Sequence, residues 1–492
     1  MQTSGAANIT NSGTIESTAR IAILAGSANI DNSGTIQAPA GQSALSTPGL
    51  ATVKNSGLFV GGSNAILSTG GIIEVTDNSG TIRATDATGH AIKAETVAAV
   101  TNSAGGVIEA NGLSGIAIQA GTLAAVTNAG LIQALGTSGN AINGATVDVT
   151  NSGNITAPGG VAISSGTGDM FITNFGTIIG GPAAASAAGT LDVFNAATGT
   201  LQATSVSGQS AFTIAGFDVL LKNAGTIQTG GSANLNNAVN AVNNATIENS
   251  GNMLASGAGS AGVVAITGTA DVKNSGSIQQ QGDGGAGIVG GEIAKVNNSG
   301  SIQTTGANSI AIFSPGGGTG GFADVTNSGT ISAAAAGGVA VSAGIAGGNN
   351  GSAVTVNNLS TGVILADVQA IVSNTGSADV TNAGTIRTSG DGSRAINTAT
   401  SATVLNAGTI QSTGANSVAI FANGLVTVTN FGLGLISATK VGIGSALDAV
   451  DVTNVGTIAA TAMDGRAIQA ATTATVNNSG TIQSAGAASF GI

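Results

Sequence analysis

Apolar and polar residues alternate along this chain in short runs that repeat from one end to the other. In one repeat, residues 401–424, three such runs (ATVLN, GTIQ and SVAIF) are separated by turn residues. Alternation with a period of two, rich in Val, Ile and Thr, predicts β-strands, and the Asn, Gly and Ser clusters between the runs predict turns. No stretch keeps the 3.6-residue period of a helix. We therefore predict an all-β protein with three short strands in each repeat.

Each repeat is marked by an asparagine that begins the phrase NSGTI or a variant of it. The phrase occurs 20 times at spacings of 21 to 31 residues, and the last five spacings are all 24. Each strand has its equivalent one repeat later, and stacking these equivalents in parallel, about 4.8 Å apart, satisfies their backbone hydrogen bonds. Because parallel crossovers are almost always right-handed, the sequence predicts a right-handed parallel β-helix (β-solenoid) of about 20 coils of ~24 residues, with three short strands per coil.

The repeat covers the whole chain, so we expect residues 1–492 to form a single continuous β-helix. The start carries no secretion-signal pattern, and the last residues, Phe490–Ile492, fall at a third strand of a coil. An open solenoid end exposes unpaired strand edges. We therefore expect either a fragment of a longer chain or a subunit whose ends stack on one another.

In 17 of the 20 markers a glycine follows the asparagine two positions later. Asn and Gly tolerate left-handed backbone angles at the least cost, so we predict left-handed residues at this turn. Stacked asparagines can also bond to one another and to the turn backbone. We interpret these residues as a structural turn ladder, not as a ligand site: Asn11, Asn32, Asn55, Asn78, Asn128, Asn151, Asn174, Asn223, Asn249, Asn274, Asn298, Asn327, Asn382, Asn406, Asn430, Asn454 and Asn478.

Four markers have a turn two residues longer than the others. After Asn102, Asn195, Asn358 and Asn430 the next core residue falls six positions on, whereas elsewhere it falls four positions on. Loops of a solenoid tolerate insertions, so this variation agrees with the repeat frame.

The composition disfavours several classes of function. Charged residues make up only 7% of the chain and aromatic residues 2%, whereas a globular enzyme has about 25% charged residues. The net charge of −11 disfavours nucleic acid, which binds Lys and Arg patches. The chain has no cysteine, which excludes disulfides and thiolate metal sites, and no apolar run is long enough to cross a membrane. We expect no nucleic-acid partner and no membrane insertion by this segment.

Side chains that could carry catalysis are scattered. His90 is the only histidine, and Asp86 precedes it by four residues; a turn histidine beside a turn aspartate is most simply a solvated pair. With no Trp or Tyr, a carbohydrate cleft would be poorly equipped. We predict no catalytic residue, no cofactor and no metal site, and hence no enzyme. A D-V-x-N position recurs, which we interpret as a solvated outward column: Asp148, Asp192, Asp271, Asp324, Asp379 and Asp451.

The tandem repeats VTNSGTI at Val325–Ile331 and VNNSGTI at Val476–Ile482 resemble those of the β-helical passenger domains of bacterial autotransporters and related large exoprotein adhesins. The resemblance covers essentially the whole chain. It implies an extracellular, cell-surface stalk or adhesin that mediates attachment or biofilm formation, with a host or other cell surface as its partner. Two alternatives stay open: a filament subunit that associates with itself end to end, and a glycan-active β-helix enzyme.

Overall fold

The computed structural model of the chain describes residues 1–204, 210–231, 235–316, 320–344 and 351–492. These residues contain 59 strands and no helix. They divide into two compact units. Unit 1 covers Met1–Ala233 and Ala238–Asn240, and unit 2 covers Asn234–Asn237 and Ala241–Ile492. Each unit is a stack of coils in which three short strands follow one another and each strand pairs with its equivalent in the next coil.

The first strand of each coil belongs to sheet 1 and ends at the marker asparagine. Its parallel pairs are in register, so that Ala28 lies beside Ala51 and Asn32 beside Asn55. In unit 1 the strands are Ala6–Asn11, Ser27–Asn32, Ala51–Asn55, Ile73–Asn78, Val97–Asn102, Leu123–Asn128, Thr146–Asn151, Met170–Asn174, Leu191–Asn195 and Val219–Asn223. In unit 2 they are Ala245–Asn249, Thr269–Asn274, Ile293–Asn298, Phe322–Asn327, Ala353–Asn358, Ser377–Asn382, Ala402–Asn406, Val426–Asn430, Val450–Asn454 and Ala474–Asn478.

The second strand forms sheet 2. In unit 1 its strands are Thr14–Glu16, Thr35–Gln37, Leu58–Gly61, Thr81–Ala84, Val107–Ala110, Leu131–Ala134, Asn154–Ala157, Thr177–Gly180, Thr200–Ala203 and Thr226–Thr229. In unit 2 they are Asn252–Ser256, Ser277–Gln281, Ser301–Thr304, Thr330–Ala333, Val363–Ala366, Thr385–Thr388, Thr409–Ser412, Leu435–Ala438, Thr457–Ala460 and Thr481–Ser484.

The third strand forms sheet 3. In unit 1 its strands are Ile23–Leu24, Ser43–Thr47, Asn64–Ser68, His90–Ala94, Ile116–Ala120, Ile142–Gly144, Ile163–Ser165, Ala183–Ala187 and Phe212–Gly216. The strand Asn237–Ala241 lies at the division between the units. In unit 2 the strands are Ala261–Ala265, Ala286–Gly290, Ile310–Ser314, Val339–Ala343, Gln369–Ser373, Arg394–Thr398, Val418–Ala422, Val441–Ser445 and Arg466–Gln469.

The core of each coil is a thin layer of aliphatic side chains, one or two from each strand. In the coil of residues 401–424, Val404, Ile410 and Ile420 are fully buried. Their neighbours in sequence point outward, as the strand alternation requires. Full burial of such a side chain contributes about 1.5–3 kcal/mol, and parallel stacking places an equivalent side chain directly above and below it.

These observations confirm the predicted all-β solenoid, with three parallel sheets and about 20 coils of about 24 residues when both units are counted. The right hand of the coil and the continuity of a single β-helix over residues 1–492 stay predictions.

The predicted left-handed backbone at the Asn-x-Gly turn is wrong. In the described residues no ladder asparagine has a positive φ, and among the glycines in the turns after these asparagines only Gly105, in the longer turn after Asn102, has one. Glycine is needed there for close approach. A Cβ on Gly57 would collide with the carbonyl oxygen of Gly34, one coil earlier, whereas a Cβ on Gly13 in the first coil would meet nothing.

Candidate functional site

A row of asparagine side chains runs through each unit at the end of sheet 1. Each Nδ2 donates to the Oδ1 of the asparagine in the next coil, as Asn32 does to Asn55 at 2.8 Å. Nine such bonds join the ten asparagines of unit 1, and nine join the ten of unit 2, all between 2.7 and 2.9 Å. Within each unit, the structure therefore brings the predicted ladder residues together.

Each ladder amide also holds the turn that follows it. Asn32 Nδ2 lies 3.2 Å from the carbonyl oxygen of Gly34 and 3.3 Å from that of Leu58 in the next coil. The backbone carbonyl of Asn32 accepts bonds from the N–H groups of Ser56 and Gly57. Both the side-chain amide and the backbone carbonyl of Asn32 are thus hydrogen-bonded. Because the residue is buried, these bonds offset the cost of burying a polar amide.

Three asparagines outside the predicted ladder also belong to it. Asn102, Asn195 and Asn358 lack the Asn-x-Gly spacing, yet each makes the same side-chain bond to the next coil. In these coils the accepting glycine carbonyl lies four residues after the asparagine instead of two, as Gly106 does after Asn102. The sequence signal was the same glycine, displaced by the two extra turn residues.

The aspartates of the D-V-x-N position lie on the outer face of sheet 1, and one or two coils with another residue separate each from the next. In unit 2, Lys295 separates Asp271 from Asp324, and Thr355 separates Asp324 from Asp379. The Nζ of Lys295 is 3.2 Å from Oδ2 of Asp271. This spacing keeps the aspartates out of directly paired positions, where like charges would destabilise the sheet. Across the described residues no group of three or more His, Cys, Asp and Glu side chains could hold a metal ion.

His90 begins a strand of sheet 3, between Asn64 and Ile116 in register. Burial lowers the pKa of His90 to about 4, and the positive charge of Lys93 acts in the same direction. Asp86 does not pair with His90; its Oδ2 accepts the backbone N–H of Gly41 at 2.7 Å. The expectation of a solvated pair is therefore wrong for His90, which is partly buried with its Nδ1 out of contact with solvent.

Sequence reasoning missed a group of exposed phenylalanines in unit 1. Phe171 and Phe194 lie on the outer face of sheet 1, and Phe175 follows the ladder residue Asn174. The signal was present: five of the 11 phenylalanines fall between residues 171 and 217, and two of them precede a marker asparagine by an odd number of positions, which strand alternation places outward.

No helix in the described part of the chain is long and apolar enough to cross a membrane. Comparison with protein-family models, with curated proteins and with solved structures finds no match for the chain.

Proposed function

We propose that this chain is a secreted structural protein of the bacterial cell surface, a stalk or adhesin that mediates attachment or biofilm formation without enzymatic activity. The asparagine ladder is the observation that carries the proposal. Within a unit, adjacent coils are joined by the backbone bonds of three sheets and by one side-chain amide bond. Separating two coils breaks all of these together, which suits a part that bears load between a cell and the surface to which it attaches.

The remaining surface is consistent with that role. The outer face of sheet 1 varies from coil to coil among residues such as Thr, Asp, Lys, Ala and Phe, while the inward face repeats two apolar residues and the ladder asparagine. A scaffold that fixes its inward positions and leaves its outward positions free can present many different contact surfaces on one backbone.

Attachment under flow tests this proposal. The chain is displayed on a laboratory bacterium, and cells retained on plastic and on an epithelial monolayer are counted beside cells that carry the display anchor alone. We expect several-fold higher retention with the chain present. If cells with the chain and cells with the anchor alone are retained equally on plastic and equally on the monolayer, the adhesin proposal is contradicted. An antibody that fails to label intact cells of the source bacterium contradicts the surface location.

A self-assembling filament subunit is the second candidate, and one observation favours it. Every coil offers donors on one side and acceptors on the other in the same pattern, as Asn55 accepts from Asn32 and donates to Asn78. Any coil exposed at the end of the mature protein is therefore complementary to a coil of another copy. Negative-stain electron microscopy separates the candidates, because fibres that grow with protein concentration favour the filament and discrete particles favour the adhesin.

A further inference from the structure

Exposed phenylalanines cluster on one face of unit 1. Phe171, Phe175 and Phe194 are 43–47% exposed and Leu220 is 42% exposed. We call these four residues the phenyl patch. The rings of Phe175 and Phe194 meet edge to face with centroids 6.2 Å apart, so the patch is an organised surface and not a set of separate side chains.

Polar residues are interleaved with the patch in strand register. Asp192 lies between Phe171 and Leu220 in one outward column. In the next outward column Phe194 follows Thr173. Apolar faces and hydrogen-bonding groups therefore alternate at the coil spacing of about 4.8 Å.

A groove lies on the same outer face of sheet 1, in the coils before the patch. Its floor is formed by Ala99 and Ala125, in register between Glu74 and Asp148. It has a volume of about 460 Å³ and is bordered by a row of threonines in successive coils: Thr76, Thr101, Thr127 and Thr150. We call it the threonine groove.

The groove leads into the patch without a gap. Asp148 at the end of the groove pairs in register with Phe171, and Thr150 pairs with Thr173. The two features together form one straight track on a single sheet within unit 1. Such a track fits an extended polymer better than a compact ligand.

The size of the patch argues against a second copy of the chain as the occupant. Three phenylalanines and a leucine that are a little under half exposed offer on the order of 350 Å² of apolar surface. A stable protein–protein interface needs about 800 Å² from each partner. The polar residues interleaved with the rings would also be buried by a flat protein partner.

The charge of the track selects the kind of polymer. Glu74, Asp148 and Asp192 lie in one of its two outward columns. Lys222, in register with Phe194, places one positive charge at the end of the other column. The carboxylates outnumber it, and the chain as a whole carries a net charge of −11. Nucleic acids and polyuronates would be repelled. A polymer without acidic groups would not be.

We propose that the threonine groove and the phenyl patch bind a linear, non-acidic glycan along the outer face of sheet 1. A pyranose ring has an apolar C–H face and a rim of hydroxyl groups. Its C–H face matches the negative face of the phenyl rings of Phe171 and Phe194. Its hydroxyl groups donate to the carboxylates of Asp148 and Asp192 and exchange hydrogen bonds with the threonine row. This inference rests on the proposed attachment function, for which it names the class of surface ligand.

Binding of defined oligosaccharides to the purified chain tests the inference. Cellohexaose and chitohexaose serve as neutral probes and hexagalacturonate as the acidic one, with isothermal titration calorimetry as the measurement. We expect both or one of the neutral probes to bind, and the acidic probe to bind at least tenfold more weakly. Phe171→Thr and Phe194→Thr should each weaken neutral binding at least tenfold. Threonine already occupies outward positions in neighbouring coils, so both variants should fold.

Leu405→Thr is the matched control. Leu405 occupies the outward position in unit 2 that Phe194 occupies in unit 1, and it is similarly exposed. It should leave binding unchanged. Failure of the wild-type chain to bind any of the neutral probes overturns the inference, as does binding that survives both phenylalanine substitutions. A dimer of the wild-type chain that Phe171→Thr dissociates in sedimentation analysis would make the patch a self-association surface and also overturn it.

The attachment assay distinguishes failure of this inference from failure of the proposed function. If cells that display the Phe171→Thr chain still attach and the purified wild-type chain binds no glycan, the glycan inference is overturned. The adhesin proposal is unaffected by that result. Glycan binding by a chain that gives no attachment removes the adhesin proposal instead.

Discussion

The two units build their asparagine ladders alike but turn from sheet 2 to sheet 3 in different ways. In unit 2 this corner carries a residue with left-handed φ in most coils, including the non-glycine residues Asn308, Asn416 and Asp464 at 55–57°. Among the described corner residues assigned to unit 1, only Gly41 and Gly231 have a left-handed φ, and Leu235, which follows Gly231 in the same corner, is assigned to unit 2. Equivalent coils therefore reach the same third strand through different backbone paths.

The side chains inside this corner vary as well. Some sheet 2 strands of unit 2 end in a buried hydroxyl residue: Ser412 Oγ lies 2.6 Å from Thr388 Oγ1 and 2.8 Å from Ser393 Oγ. Other strands of unit 2 have a buried alanine at the same position, such as Ala333, as unit 1 does at Ala84 and Ala134. The comparison shows which parts of the coil are constrained. Ladder and aliphatic positions repeat in both units, while the corner accepts either an apolar or a hydrogen-bonded solution.

The largest expected effect comes from the ladder turn, where the two units should behave alike. Gly57→Ala in unit 1 and Gly408→Ala in unit 2 each place a methyl group against the carbonyl oxygen of the previous coil. We expect each to destabilise its unit by about 3 kcal/mol, the upper range for overpacking. Urea denaturation combined with hydrogen exchange measures the loss unit by unit.

Gly13→Ala is the matched control, because a Cβ at that position meets nothing within 4 Å. It should change stability by less than about 0.5 kcal/mol. Equal losses at Gly13 and Gly57 would show that glycine is required there for its backbone angles instead of for close approach.

Removing one asparagine of the ladder should lower stability nearly as much. Asn128→Ala removes the acceptor of Asn102 and the donor to Asn151, both of which stay buried. Asn151 Oδ1 then loses its ladder donor, and Asn102 Nδ2 keeps only its bonds to the carbonyls of Gly106 and Leu131. The loss should destabilise unit 1 by about 2–3 kcal/mol. Hydrogen exchange of the turn amides around the substituted coil is the measurement.

Asn478→Ala is the control for Asn128→Ala, since Asn478 is exposed and water can replace its bonds. A loss there as large as that of Asn128→Ala would mean that burial does not set the cost of breaking the ladder.

Acidification should lower the stability of unit 1 more than that of unit 2, because the only histidine lies in unit 1. Burial lowers the pKa of His90 from 6.5 to about 4, so the unfolded chain binds more protons between these values. The stability contributed by neutral His90 is complete above pH 6.5 and is lost as the pH falls toward 4. At pH 5 the loss should be at most about 2 kcal/mol.

Hydrogen exchange at pH 7 and pH 5 should therefore show unit 1 weakened relative to unit 2. His90→Asn, which copies Asn64 of the preceding coil, should remove that difference. If the difference between the units persists in the variant, its origin is not His90.

Exchanging the corner side chains tests whether the apolar and hydroxyl solutions are independent. Ser412→Ala leaves Thr388 and Ser393 without a shared partner and should cost unit 2 about 1–2 kcal/mol. Ala134→Ser buries a hydroxyl beside Gly139 and should cost unit 1 a similar amount. Thermal unfolding followed by circular dichroism compares them, and a neutral Ser412→Ala would mean that the hydroxyl network adds no stability.

The smallest expected effect concerns the left-handed corner residue. Asn416 has a φ of 55°, a region that costs β-branched residues about 1–2 kcal/mol, so Asn416→Thr should destabilise unit 2 by about 1 kcal/mol. Asn416→Gly should be close to neutral. Thr88, exposed in a corner of unit 1 without positive φ, should accept alanine freely. Urea denaturation of the three variants decides whether the two corners differ in strain.

The sequence predicted the architecture because a solenoid repeats its own signal. Period-two alternation identified the strands, the marker asparagine identified the coils, and parallel stacking followed since each strand finds its equivalent one repeat later. The 20 markers coincide with the last residues of the 20 strands of sheet 1. Local pattern and long-range pairing carry the same information here, which is unusual for β-proteins.

The failures share one physical cause: a residue type can serve two purposes. Gly57 after Asn55 could mean a left-handed backbone or a close approach, and only the carbonyl oxygen of Gly34 in the preceding coil decides between them. Similarly, Phe171 and Phe194 could have filled a core, and their register on the outer face made them a candidate ligand surface. Sequence specifies which residues recur, whereas contact between coils specifies why.

The ladder has a direction. In every one of its 18 bonds the amide nitrogen belongs to the earlier coil and the oxygen to the later one. The amide dipoles of a unit therefore point the same way and polarise one another. Turning a single amide over would set oxygen against oxygen on one side and N–H against N–H on the other. The orientation of any one asparagine thus dictates that of all the others in its unit.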